Sequence, residues 1–197
     1  MDPAPALARL CADDYAGAPA IRSVELDGMA ASLHLARDLP PPGRARGPSL
    51  VLVCRGSDDP EDWARNFRFL PAIGMGASWR LWHRGFLQEA RVVYGFVMGL
   101  PADARPDWIT GHSRGAAVAQ ILGPSVRRRT VTFAPPRPLW LGPQPSDAGL
   151  VENHALRGDP VPYAGRLFGF RHVGRVRWLG GVGHGIRRYI AALENGR

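Results

Sequence analysis

The chain has 197 residues, of which 45% are hydrophobic and 21% charged, and a formal net charge of +8; its length predicts a single domain over residues 1–197 built on one core. No apolar run approaches the roughly 20 residues needed to cross a bilayer, which excludes a transmembrane helix. All 25 basic residues are arginine, a chain-wide bias that reads as composition before it reads as a site for nucleic acid or an anionic membrane.

The first residues, "MDPAPALARLCADDYAG", have an acidic residue at position 2 and neither a basic start nor a long apolar centre, so no secretory signal is read and the default location is cytoplasmic, with export by another route left open. Cys11 and Cys54 imply neither a disulfide framework nor a metal site, and Cys54 lies in the apolar run "SLVLVCRG" as a small buried hydrophobe. "SVELDGMAASLHLA" predicts a hairpin turning at Asp-Gly. "DLPPPGRARGP" is a surface loop, and Ser49 to Cys54 a strand covered on both faces. In "RGSDDPEDWARNF" a helix start is written locally: Asp59 caps, Pro60 suits the first position, and Glu61 and Asp62 complement the helix dipole. Trp63, Phe67 and Leu70 would share one face of that helix.

A second helix is predicted from Phe86, Ala90, Val93, Tyr94 and Val97, stopping at Gly99 and Pro101. There follow a strand "DWIT", a helix from about Gly115 to Leu122, strands "TVTFA" and "LVENHAL", a hairpin-like "RHVGRVRWL" and a last helix "HGIRRYIAALE". Strands alternating with helices predict an α/β fold with a mostly parallel central sheet and helices on both faces.

In "DWITGHSRGAAVAQIL" a serine stands between two glycines, directly after a strand and before a helix. A serine at such a turn is forced into a strained backbone, and small neighbours keep the adjoining chain clear of it. The helix start adds amide donors where an oxygen becomes negative, the N–H of Arg114 among them. A serine hydroxyl needs a base to take its proton and a carboxylate to orient that base, in the order Ser, Asp or Glu, His. Downstream, "NHALRGDPVPYAG" supplies Asp159 just past a strand and "GGVGHGIRRY" supplies His184 in a glycine-rich loop. Of the competitors, His112 adjoins the serine and should point away, His154 lies in a strand, and His172 precedes a valine in a strand; all three are read as structural. Asp147 lacks a preceding strand end. Such chemistry requires no metal or organic cofactor.

Six ordered segments resemble the class 3 lipase family: "LVCRGSDDPEDWARNF", "WHRGF", "ITGHSRGAAVA", "TFAPPRP", "NHALRGDPVP" and "HGIRRY". The resemblance implies a compact, minimal α/β-hydrolase fold with Ser113, Asp159 and His184 as a catalytic triad. It implies an oxyanion hole from Ser57 and the amide of Arg114, and a lid or acyl-pocket rim around Trp63, Phe67 and Leu70. Met75, Trp79, Leu81 and Trp82 add apolar bulk to that region, with Trp82 read as core, and Arg55 and Asp62 would pair to hold the oxyanion loop. Where the family often has leucine and glycine, this chain has Arg114 and Ala116; the arginine either favours an anionic substrate or faces solvent.

The function so implied is hydrolysis of carboxylic esters, on a lipid or small ester substrate, through an acyl-enzyme. A second reading keeps the triad but acts on anionic phospholipid, in peripheral contact with an anionic membrane. A third sees a degenerate scaffold binding nucleic acid, because "RLFGFRHVGRVRW" interleaves arginines with Phe168, Phe170 and Trp178. In a sheet, however, those aromatics would alternate into the core.

Overall fold

Alternation along a single strand lays out the molecule. In the computed structural model, which describes residues 2–26, 29–44, 47–56, 73–75 and 79–196, Leu52 and Cys54 of the strand Ser49–Cys54 enter one apolar cluster, while Val51 and Val53 enter another. Successive side chains of a strand point to opposite faces, so this strand is buried on both sides and a layer of helices covers each.

The elements run α1 (Ala4–Tyr15), β1 (Arg22–Leu26), β2 (Met29–Ala36), β3 (Ser49–Cys54), β4 (Ile73–Met75), β5 (Leu81–His83), α2 (Arg84–Met98), β6 (Trp108–His112) and α3 (Arg114–Val126), followed by β7 (Arg129–Phe133), β8 (Leu139–Trp140), β9 (Val151–Gly158), β10 (Phe170–Arg171), β11 (Arg175–Val182) and α4 (Ile186–Asn195). The main sheet has the order β1-β2-β3-β6-β7-β9-β11. The hairpin at its start pairs antiparallel and continues antiparallel into β3, whereas β3, β6, β7, β9 and β11 are mutually parallel. Helices α2 and α3 cover one face, with Phe86, Val93 and Leu122 against Leu52 and Ile109. On the other face α1 and α4 bring Leu7 and Tyr189 against Val53, Phe133 and Leu156. A small antiparallel sheet, β10-β8-β5-β4, stands apart from the main one. Among the described residues no helix is long and apolar enough to cross a membrane.

Three expectations change. The segment read as a hairpin at 171–179 is divided between the sheets: β10 pairs with β8, and β11 pairs parallel to β9. Its turn is pinned sideways, because Asn153 Nδ2 on β9 donates to the carbonyls of Val173 and Arg175 at 2.7 and 2.9 Å. A Cβ at Gly174, where φ is +76°, would meet the Val151 carbonyl oxygen at 2.2 Å. His172 accordingly lies in a loop rather than a strand. The helix expected to stop near Leu122 continues through Pro124 to Val126; its last turn closes tightly on β7, where a Cβ at Gly123 would meet Thr130 Oγ1 at 2.1 Å. The N-terminal segment, for which no element was expected, forms α1. The helix expected from Asp59, with Trp63, Phe67 and Leu70, lies outside the described residues, as do Ser57 and Asp62. Trp82 is buried at 3% exposure, as core.

Candidate active site

Ser113 sits at the junction of β6 and α3 with φ 57° and ψ −127°, a conformation that costs a non-glycine residue of order 1–3 kcal/mol. Its surroundings hold it there. The Ser113 amide donates to the Phe133 carbonyl at 3.0 Å, and its own carbonyl accepts from Ala116 N at 2.9 Å. The flanking glycines are steric necessities: a Cβ at Gly115 would lie 2.0 Å from the Cys54 carbonyl oxygen, and one at Gly111 would lie 2.6 Å from the carbonyl oxygen of Gly115. Helix α3 can start against β3 only because both side chains are missing.

Asp159 and His184 leave the sheet at the same edge. Asp159 follows β9 and is fully buried. His184 follows β11 and stands just before α4. The register of β9 and β11 shifts between Leu179 and Val182 and resumes where Val182 faces Gly158. A Cβ at Gly158 would meet Val182 Cγ2 at 2.8 Å, so a glycine there allows the two loops to close on each other.

The three side chains meet. His184 Nε2 is 2.7 Å from Ser113 Oγ, and His184 Nδ1 is 3.0 and 3.1 Å from the two oxygens of Asp159. A carboxylate only accepts, so Nδ1 carries the proton and Nε2 is left to take one from the serine. Asp159 is further tied by the Val161 amide, 3.0 Å from Oδ1, and by the Tyr189 hydroxyl, 2.6 Å from Oδ2. Burial and the neighbouring carboxylate raise the Tyr189 pKa far above the ordinary phenol range, so its hydroxyl stays a donor.

Behind this line runs a second one that sequence reasoning did not find. The Gly56 amide donates to Tyr15 Oη at 3.1 Å, and that hydroxyl reaches His112 Nδ1 at 3.2 Å. His112 Nε2 in turn donates to the carbonyl of His184 at 2.8 Å. Burial, and next the nearby His184, lower the His112 pKa to about 4, so the ring is neutral with Nδ1 free to accept. The chain of bonds links the loop after β3 to the loop that holds His184. A Cβ at Gly56 would lie 2.5 Å from Tyr15 Oη, which explains the glycine before position 57.

The Arg114 side chain is 20% exposed and paired, its Nε donating to Glu89 Oε1 on α2 at 2.8 Å. His172 donates from Nε2 to the Pro135 carbonyl at 2.9 Å, and burial, followed by the charge of Arg137, lowers its pKa to about 4. His154 is fully buried, stacked on Phe133 with ring centroids 5.6 Å apart. Of the aromatics interleaved with arginine, Phe170 is buried and Trp178 stacks on Tyr163 with centroids 5.0 Å apart, so these two are occupied within the fold. A cleft of about 940 Å³ lined by Arg129, Val151 and Arg175 lies at the opposite edge, where the strands begin.

No family model and no curated protein matches the chain. Solved structures do. A lipase from Rhizopus microsporus var. chinensis superposes with a TM-score of 0.62 at 18% identity, over 80% of this chain and 60% of that one. This is the fold of the fungal lipases. A triacylglycerol lipase from Penicillium expansum has it too, with a TM-score of 0.62 at 15% identity over 98% of this chain and 87% of that one. So does a lipase from Yarrowia lipolytica, with a TM-score of 0.56 at 20% identity over 76% and 66%. The chain therefore has the architecture of these lipases while spanning 60% of the length of the first.

Proposed function

We propose that the protein is a serine hydrolase that cleaves carboxylic esters, on lipid or small acyl substrates. The observation that carries this reading is the continuous line from Ser113 Oγ through His184 to Asp159, with links of 2.7 and 3.0 Å, beginning at a strained serine on a helix start. The fungal-lipase fold is consistent with it.

In the proposed reaction His184 Nε2 takes the Ser113 proton as Oγ attacks the ester carbonyl. Asp159 holds the ring in its tautomer and stabilises the imidazolium. The amide of Arg114, at the start of α3, and that of Ser57 would donate to the tetrahedral oxyanion. His184 then protonates the leaving alcohol, and water repeats the cycle on the acyl-enzyme, restoring the serine and releasing the acid.

The deciding experiment is labelling with a fluorophosphonate probe, followed by a panel of esters of increasing acyl length. Wild-type protein should label and Ser113→Ala should not. His184→Ala should lower turnover by about a thousandfold or more, whereas His172→Ala should leave most of it. Labelling that survives Ser113→Ala refutes the nucleophile, and the reverse histidine ranking refutes the base.

A further inference from the structure

The exposed large apolar side chains are not scattered evenly. Met75, Trp79, Leu141, Leu167 and Phe168 all belong to the small sheet or its connecting turns. Leu167 is the extreme, with 96% of its surface open to solvent. Its turn is nonetheless well bonded. Gly165 and Gly169 bracket a single 3-10 turn at φ +80° and +82°, where a side chain would be strained. The amides of Phe168 and Phe170 donate to the Gly165 carbonyl at 3.1 Å each, and Trp140 Nε1 donates to the Phe168 carbonyl at 3.0 Å. Leu141 packs over Gly169, where a Cβ would meet its Cδ2 at 2.9 Å. Leu141, Leu167 and Phe168 thus put apolar surface side by side at one corner, and a patch of this kind, unlike a lone exposed residue, marks an interaction site.

The surroundings are basic. Arg166 and Arg171 are exposed beside this tip, and Arg137 is fastened under it by a 2.8 Å bond from Nε to the Pro162 carbonyl. Between Asp159 and Glu194 the sequence has six arginines and no carboxylate. The tip also follows Asp159 in sequence after only the short turn Val161–Tyr163.

We propose that the turn 165–169, with Leu141 beside it, inserts into the surface of an anionic phospholipid bilayer. Leu167 enters the acyl boundary while Arg166 and Arg171 meet the phosphates, the two-part attraction by which peripheral proteins hold to membranes. The docking itself is independent of chemistry; that it delivers bilayer esters to Ser113 rests on the hydrolase reading.

The test uses the full chain as Ser113→Ala, so that the lipid stays intact, with vesicles of phosphatidylcholine alone or equimolar with phosphatidylglycerol. Flotation should show binding to the mixed vesicles, weakened by salt. Adding Leu167→Asp should lower the partition coefficient by about tenfold or more. Leu35→Asp, at an exposed leucine on β2, should leave it unchanged, with unfolding midpoints confirming that both variants fold. Equal binding to both vesicle types, an unaltered partition for Leu167→Asp, an equal loss with Leu35→Asp, or duplex DNA bound more tightly than vesicles would each overturn the proposal. Hydrolysis of p-nitrophenyl butyrate by the wild type is read separately: its absence refutes the hydrolase and leaves the docking to be judged on flotation alone.

Discussion

The Tyr189 hydroxyl lies 2.6 Å from Asp159 Oδ2, so the carboxylate proposed to orient His184 is fastened by a helix on the same face as α1 rather than by its own loop alone. The same phenol oxygen accepts the Leu156 amide at 3.2 Å. Tyr189→Phe removes both bonds while keeping the ring. A hydrogen bond to a charged group contributes about 1.5–3 kcal/mol, and the loss falls on the group that orients His184. We expect kcat for a soluble ester to fall by about tenfold or more with KM little changed. Steady-state kinetics check this, and a selective rise in KM would place Tyr189 elsewhere in the mechanism.

Tyr15 ties the loop after β3 to His112 at the end of β6 through one hydroxyl. With Tyr15→Phe the Gly56 amide loses its acceptor and His112 Nδ1 its donor, and a buried unsatisfied group costs about 1–3 kcal/mol. Gly56→Ala should be worse, because one of its close contacts is the His112 carbonyl oxygen at 2.9 Å, which is backbone and cannot swing aside. Urea unfolding of the two variants should rank them in that order.

Acid should weaken the fold through His112 and His172. Burial holds both at about 4, against an ordinary value of 6.5. Between those values the unfolded chain binds more protons than the folded one, so stability that is complete above pH 6.5 is lost as pH falls toward 4. The slope reaches up to about 1.4 kcal/mol per pH unit for each histidine. His172→Gln should flatten the dependence of the urea midpoint on pH across that window, and an unchanged slope would remove His172 from the account.

The cysteines should be inert in the native protein. Burial pushes the Cys11 thiol up to about 12 and Cys54 higher still, and both are closed off by the core. A disulfide reagent such as dithionitrobenzoate at pH 8 should therefore titrate neither thiol until denaturant is added, when both should react.

How far the sequence could be read depended on how local each constraint is. The parallel core was legible because the apolar run of β3 and the strand segments after it alternate with helical segments. Ser113 was legible because its Gly-x-Ser-x-Gly pattern lies within one strand–turn–helix unit, although the atoms that require Gly115 belong to Cys54 on β3. Asp159 and His184 could be singled out since each follows a strand and sits among prolines or glycines. Tyr15 and Glu89 could not: Tyr15 finds His112 across 97 residues and Glu89 finds Arg114 across 25, and no spacing rule announces such a partner. The division of 171–179 between two sheets escaped for the same reason, being decided by Asn153 reaching across from β9.

β11 is the last strand in the main sheet's order and is largely exposed along its length. His184 hangs from its end and Tyr189 from the helix after it, whereas Ser113 is rooted two strands inward from β9, on β6. Borders of a sheet open at lower cost than its middle. Gentle heating should therefore peel away His184 and Tyr189 while the strand of Ser113 still holds, so that the proposed activity and the folded state part company well before the molecule melts.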